Sequence, residues 1–292
     1  MIPDGLSFMD RFAARARETP NAAAFAFLAG DGTKTGYSVS ELYRDMQWTG
    51  SYLRSHGVQS GDLIAISCGS ARPTVVAFLG AMYIGAVPAI LPYYHPRRTP
   101  ESYLAQLRGM LEVSRATALL IEDGFLASLA PAFAEYSDIL VPLPLPPPDG
   151  SPRPTNASDG GEAAHAQFSS GTTGTPRCII NSKAQILYYL RKTIHSLSIT
   201  DDDCAVGWLP LYHDMGLVTQ ILQPLYSGYP SVLLEPADWL AAPSRFFQAI
   251  DAHRGTMTWM PNFAFNYSVK RVDTALLTDT SLGSLRIVGC GA

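Results

Sequence analysis

The stretch Ala166–Ser182 reads AQFSSGTTGTPRCIINS. It sets the hydroxyls of Ser169, Ser170, Thr172, Thr173 and Thr175, with Gly171 and Gly174, ahead of Arg177. Glycines let backbone N–H groups turn towards a ligand with no Cβ in the way. The hydroxyls can donate to phosphate oxygens, and the guanidinium supplies a fixed charge that pairs with them bidentately. Pro176 restricts the exit of the loop. The pattern is not the nucleoside-triphosphatase P-loop, which needs Gly-Lys-Ser/Thr where this chain has proline at 176. Apolar alternation over Ala164–Phe168 and the run CIIN at Cys178–Asn181 make the loop a connection between two strands. Ser182 and Gln185 then have the capping-box spacing of a helix start. On composition alone, a phosphate cradle and a ligand-free Ser/Thr/Gly turn stand even.

Outward from this loop, strand and helix signals alternate. The runs AAAFAFLA and TGYSVS flank Asp31-Gly32 and predict a hairpin. Ser40 is placed to cap a helix through Tyr43, Trp48 and Leu53, with Gly57 in the stop position. Strands LIAIS, VPAIL, ALLIE and ILVPL follow, separated by helices over Thr74–Ile84, Glu101–Ser114 and Phe125–Tyr136. After the loop come strands CAVGWLP, SVLLE, TMTWM and SLRIVGCGA, with helices around Gly216–Tyr226, Pro243–His253 and after Pro261. Short strands alternating with helices predict an α/β fold with parallel sheets covered on both faces. The stretch 142–162 is rich in Pro, Gly, Ser and Asp and sustains neither period, so it reads as a linker. The expected organisation is a first α/β subdomain at 1–141, the linker at 142–162, and a second subdomain at 163–292 carrying the loop.

The bulk numbers fit that reading. The 292 residues are 47% hydrophobic and 16% charged, enough for a sizeable core and about two subdomains. A net charge of −4 with no basic stripe argues against nucleic acid as a partner. The scattered basic pairs Arg15/Arg17, Arg97/Arg98 and Arg191/Lys192 read as solvated helix faces. None of Cys68, Cys178, Cys204 and Cys290 has metal-ligand or CxxC spacing, as expected of free thiols in a reducing compartment. The N-terminal MIPDGLSFMDRFAARARETP has early acidic residues and no apolar core, unlike a secretion signal. It reads as a short amphipathic helix capped by Ser7 and Asp10 and followed by Pro20. Thr74–Tyr94 is uncharged over 21 residues, a length that could span a bilayer. Gly85 and Pro88 break it where a buried helix would give way to a buried strand, so no membrane span is expected. The expectation is a soluble, cytoplasmic protein.

The loop resembles the phosphate-binding signature of the adenylate-forming (AMP-binding) superfamily, Ser/Thr-Ser-Gly-Thr/Ser-Thr-Gly-x-Pro-Lys-Gly. Arg177 stands for the lysine, keeping its charge, and Cys178 for the last glycine. A second block, WLPLYHDMGL at Trp208–Leu217, resembles the fatty acyl-AMP ligases and long-chain acyl-CoA synthetases within that superfamily. A third, WMPNFAF at Trp259–Phe265, is similar to their PPNFAYDL, and VGCGA at Val288–Ala292 resembles the start of their GAEP segment. The implied fold is the N-terminal adenylate-forming domain, with two predominantly parallel sheets flanked by helices in stacked subdomains.

The resemblance implies a reaction as well. A fatty acid carboxylate attacks the α-phosphate of ATP and releases pyrophosphate, leaving acyl-AMP for an acyl carrier protein or coenzyme A. Ser169, Ser170, Gly171, Thr172, Thr173, Gly174, Thr175, Pro176 and Arg177 would bind ATP phosphates, with Ser169 near Mg²⁺. His213, Met260, Asn262 and Phe263 would border the acyl substrate. Gly289, Cys290, Gly291 and Ala292 would lie near adenine. Taken bare, neighbouring His213 and Asp214 would be structural, because adjacent side chains on a strand point apart. The catalytic lysine is expected beyond Ala292, so no catalytic residue is assigned and the chain alone is expected to be inactive. A coenzyme A ligase and a non-catalytic adenylation-like binding domain stay open beside the carrier-protein ligase.

Overall fold

The computed structural model describes residues 6–94, 99–122, 133, 135–143, 161–169 and 176–291. Two compact units emerge, Met1–Glu41 with Tyr189–Ala292, and Leu42–Tyr188. Each is built on one six-stranded sheet.

The first unit holds the hairpin β1 (Ala23–Leu28) and β2 (Lys34–Ser38) expected around Asp31-Gly32. Its other strands are β9 (Ala205–Gly207), β10 (Ser231–Leu234), β11 (Met257–Pro261) and β12 (Ile287–Gly291). Their order is β12-β11-β9-β10-β1-β2, with every neighbour parallel except β1 and β2. The second unit holds β3 (Leu63–Ser67), β4 (Val87–Ile90), β5 (Ala118–Glu122), β6 (Leu140–Leu143), β7 (Ala163–Ser169) and β8 (Arg177–Ser182). Their order is β6-β5-β3-β4-β7-β8, parallel except for β7 and β8. The α/β class and the predominance of parallel pairing therefore hold.

The division of the chain differs from the expected one. The hairpin at 23–38 joins the strands of the C-terminal half, whereas β7 and β8, placed by the sequence in a second subdomain, complete the sheet of β3–β6. The stretch 142–162 does not mark the boundary: Pro142 and Leu143 end β6, and 144–160 lie outside the described residues. The expected helix over Phe125–Tyr136 also lies largely outside them.

Local signals explain most elements. Helix α1 (Phe8–Glu18) is capped as expected, the Ser7 hydroxyl accepting from Asp10 N–H at 3.2 Å. Helix α2 (Val39–Ser55) starts earlier than Ser40 implies. Ser38 and Glu41 form its capping box, Ser38 N–H donating to Glu41 Oε2 at 2.8 Å and Glu41 N–H to Ser38 Oγ at 3.2 Å. The uncharged run at 74–94 resolves into α3 (Ala71–Tyr83), Gly85 at φ +77°, and buried β4. No helix among the described residues is long and apolar enough to cross a membrane. Helix α4 (Pro100–Ser114) and helix α5 (Lys183–Leu197) follow, the latter opened by the Ser182–Gln185 box read from the sequence.

Arg15 is a correction. It is buried, and its guanidinium donates to the carbonyls of Leu225 and Gly228. Those are end carbonyls of the helix at Gln223–Ser227, which need partners from outside the helix. Arg97 and Arg98 lie outside the described residues.

Candidate functional site

In open α/β sheets, ligands collect outside the carboxyl ends of the parallel strands. The motif blocks fall there. In the second unit, β7 runs parallel to β4 and ends at Ser169, and β8 returns from Arg177 directly opposite it. Ser169 and Arg177 thus close the base of the loop whose middle, Ser170–Thr175, lies outside the described residues. Arg177 is exposed, and Pro176 is half-buried near Gly109 of α4. Cys178 faces Phe168 across the hairpin and packs on the cluster of Val87, Ala89 and Ala166. Burial pushes its thiol above the ordinary value.

Beneath Ser169 on β7 lies a polar group that the sequence did not single out. His165 is fully buried, with Nε2 3.4 Å from Gln167 Oε1 and 3.3 Å from Asn181 Nδ2. Burial in this surround, completed by the Phe78 ring, lowers the imidazole to about 4. The only sequence signal for it is alternation, which puts residues 165, 167 and 169 on one face of β7.

In the first unit, three blocks converge at the carboxyl ends of β9, β11 and β12. β9 ends at Gly207 and the chain turns through Trp208–His213 into helix α6 (Asp214–Leu217). His213 sits at the N-cap in extended conformation, not within a strand, so its side chain and that of Asp214 do meet. His213 Nδ1 lies 2.6 Å from Asp214 Oδ1, and the Met215 N–H donates to the same carboxylate oxygen at 2.7 Å. Both side chains are more than half exposed, at 54% and 73%, so the pair adds little to stability and is open to a ligand. β11 ends at Pro261, opposite Gly291 of β12. Met260 is buried in the core with Trp208, Leu209 and Ala264, whereas Asn262 and Phe263, at the start of helix α10 (Asn262–Arg271), are exposed. (Between α6 and α10 lie α7, Gln223–Ser227, α8, Pro236–Ala241, and α9, Ser244–Ala252.)

Phe263 is 55% exposed yet edge-on to two stacked indoles. Trp208 and Trp239 lie face to face with centroids 3.6 Å apart and planes 2° apart. Trp239, on α8, was missed in the sequence reading because its partner is 31 residues away and no periodicity links them. On β12 the two glycines have steric reasons. A Cβ on Gly289 would overlap the Trp259 ring, and one on Gly291 would stand 2.9 Å from Met215 Sδ. Cys290 between them is exposed. Ala292 lies outside the described residues.

Among the described residues no cluster of three or more His, Cys, Asp or Glu could hold a metal ion. A cavity of about 250 Å³ opens elsewhere in the first unit, lined by residues including Leu28, Lys34, Asp238, Arg245 and His253. None of the motif blocks contributes to it, and Arg245 is committed there to the carbonyls of Ala29 and Gly30. It is not the motif site.

The motif blocks thus stand at the carboxyl ends of parallel strands, where α/β sheets bind their ligands. The chain belongs to the AMP-binding enzyme family, whose profile matches residues 12–292. It is 30% identical over 296 residues to the long-chain-fatty-acid–AMP ligase FadD26 of Mycobacterium marinum, covering 93% of this chain and 48% of that protein. It is 27% identical over 226 residues to the medium-chain-fatty-acid–[acyl-carrier-protein] ligase JamA of Moorena producens, covering 75% of this chain and 38% of that one. The structure superposes on the fatty acyl-adenylate ligase from L. pneumophila, solved with acyl adenylate and pyrophosphate. The TM-score is 0.85 at 25% identity, over 98% of this chain and 50% of that one. The chain spans about half the length of FadD26 and of the solved ligase.

Proposed function

We propose that this chain is the ATP- and acid-binding part of a ligase that activates a fatty acid as acyl-AMP. The observation that carries the reading is the convergence of His213–Met215, Pro261–Phe263 and Gly289–Gly291 at neighbouring strand ends, with Met215 touching Gly291. These are the blocks whose resemblance implies carboxylate, acyl and adenine contacts. Both reactants are anions, so this half contributes alignment and charge neutralisation more than proton transfer. Arg177 and the hydroxyls of residues 169–175 hold the β and γ phosphates of ATP. His213, its Nδ1 engaged by Asp214, borders the acid carboxylate. Phe263, with Met260 and the indole pair behind it, offers an apolar wall to the acyl chain, and Asn262 an amide at its rim. Gly289–Ala292 flank the adenine.

Mg²⁺ would neutralise the phosphates, and Ser169 would help to hold it. The acyl acceptor is an acyl carrier protein, a reading supported by the activity of JamA. The four cysteines are all free, in keeping with work in the cytoplasm. Mass spectrometry of the products of the complete gene product tests the whole reading, given ATP, a fatty-acid panel and either carrier protein or coenzyme A. Acyl-AMP and acylated carrier protein are expected. Acyl-coenzyme A would replace the acceptor, and no acid-dependent pyrophosphate release would overturn the function.

A further inference from the structure

The loop that presents His213 has no regular structure of its own, and what holds it lies one turn further along the chain. After α6 the helix widens into a π turn at Val218–Leu222 before α7. Pro224 accounts for the widening. It has no N–H to donate to the Gln220 carbonyl, and its ring crowds that position in a regular helix. The side chain of Gln220 is buried against the exit of β9. Its Nε2 donates to the Leu209 carbonyl at 2.9 Å, and its amide lies so close to Gly207 that a Cβ there would overlap it. Two further contacts bind the same loop to the same helix. Gly216 packs on the Pro210 carbonyl with no room for a Cβ, and Leu217 N–H donates to the His213 carbonyl at 2.9 Å.

We propose that Gln220 is a positioning residue for the acid-binding loop Trp208–His213, acting through the Leu209 carbonyl, with the π turn aiming it there. The proposal rests on the acid-binding role inferred for His213. His213 is exposed, whereas Gln220 is buried. It holds the middle of a loop whose far end carries the histidine, and the loop has two backbone anchors on the helix besides it. Losing the side-chain bond therefore lets Trp208–Tyr212 shift without unfolding the unit. The consequence falls on the acid and not on ATP.

Gln220→Leu keeps the bulk and removes the donor. Gln220→Glu keeps the shape but faces the Leu209 carbonyl with a carboxylate, and regains a donor only when protonated. In the complete gene product, measured by acid-dependent ATP–pyrophosphate exchange, Gln220→Leu should raise the KM for the acid about tenfold and leave the KM for ATP unchanged. The ratio of Gln220→Glu to parent should recover as pH falls, while that of Gln220→Leu stays flat; the confinement of the loss to the acid KM is what a packing role alone would not produce. Amide hydrogen exchange at Leu211, Tyr212 and His213 should quicken in Gln220→Leu. Equal loss of acid and ATP affinity, or a flat Gln220→Glu profile, would overturn the proposal. A parent without exchange activity would refute the functional reading instead. The hydrogen-exchange comparison would then still decide whether Gln220 holds the loop, unchanged rates sinking the idea.

Discussion

The sulfur of Met215 occupies the space into which a side chain on Gly291 would project, 2.9 Å from where a Cβ would stand. The two residues are 76 apart in sequence, and their contact brings the His-Asp-Met block to the end of β12. A thioether is flexible and yields to a neighbour at modest expense. Gly216 meets the carbonyl oxygen of Pro210, which cannot move without displacing the loop. Gly291→Ala should therefore lower stability by less than about 1 kcal/mol and Gly216→Ala by about 3 kcal/mol. Thermal unfolding of the two variants checks the order; equal shifts would contradict it.

Arg177 closes the base of the Ser/Thr/Gly loop opposite Ser169 and is exposed. If it grips the polyphosphate, Arg177→Ala should raise the KM for ATP at least about tenfold with little change for the acid. Arg177→Lys should keep part of the affinity, since the charge survives and the bidentate fork does not. Steady-state kinetics with each substrate varied separately decides it. Unchanged ATP kinetics in Arg177→Ala would reduce the residue to scaffold.

His165 brings a pH dependence with a definite sign. Its folded-state pKa is about 4, below the ordinary 6.5, because burial disfavours the charged ring. Above 6.5 both folded and unfolded chains hold it neutral, and it contributes no pH dependence. Between 6.5 and about 4 the unfolded chain binds a proton that the folded chain refuses, so stability falls as pH falls, by roughly 3 kcal/mol across the window. Urea unfolding of parent and His165→Gln at pH 7 and pH 4.5 should show a smaller loss in the variant. Parallel losses would count against this source.

Asp203 ties together three segments of the first unit. It accepts from Arg286 Nε at 2.8 Å, Thr256 Oγ1 at 2.6 Å and Thr200 N–H at 2.9 Å. Burial pushes its carboxyl up, but the Arg286, Thr200 and Thr256 donors outweigh that and hold it below the ordinary value. The ionised form is therefore stabilising at neutral pH and is lost as pH falls through the lowered pKa. Asp203→Ala leaves these donors without their acceptor and should cost about 2–3 kcal/mol, read from denaturant midpoints at pH 7. A change under 0.5 kcal/mol would contradict this account.

Phe263 is the exposed member of an otherwise buried aromatic group. Phe263→Ala should change the preference among acids of different chain length while moving Tm by only a few degrees, because more than half of the residue is already exposed. Exchange assays over a fatty-acid series test it; an unchanged preference would remove Phe263 from the acyl wall.

How far could the residues be read on their own? Capping boxes are contiguous, so Ser182–Gln185 was legible, and even the misplaced start of α2 was an error of two residues within one such signal. The candidate loop at 169–177 and the candidate blocks at 208–217 and 259–265 could be singled out because each is contiguous in the sequence. His165, Gln220 and Trp239 were not. Each acts through a partner on another element, and an isolated His, Gln or Trp in an apolar run carries no mark of that partner.

The sequence by itself determined the alternation of strands and helices, the position of the Ser/Thr/Gly loop between two strands, and the family. Tertiary structure alone decided which strands share a sheet. Every strand offers the same backbone donors and acceptors, so the hairpin at 23–38 could not announce that it would pair with β10, more than 190 residues away. Nor could β7 announce that it would close the sheet of β3–β6. Pairing is settled by which apolar faces can be buried together, a property of the whole folded unit. That same choice brings Met215 against Gly291 and puts the three blocks at the ends of neighbouring strands.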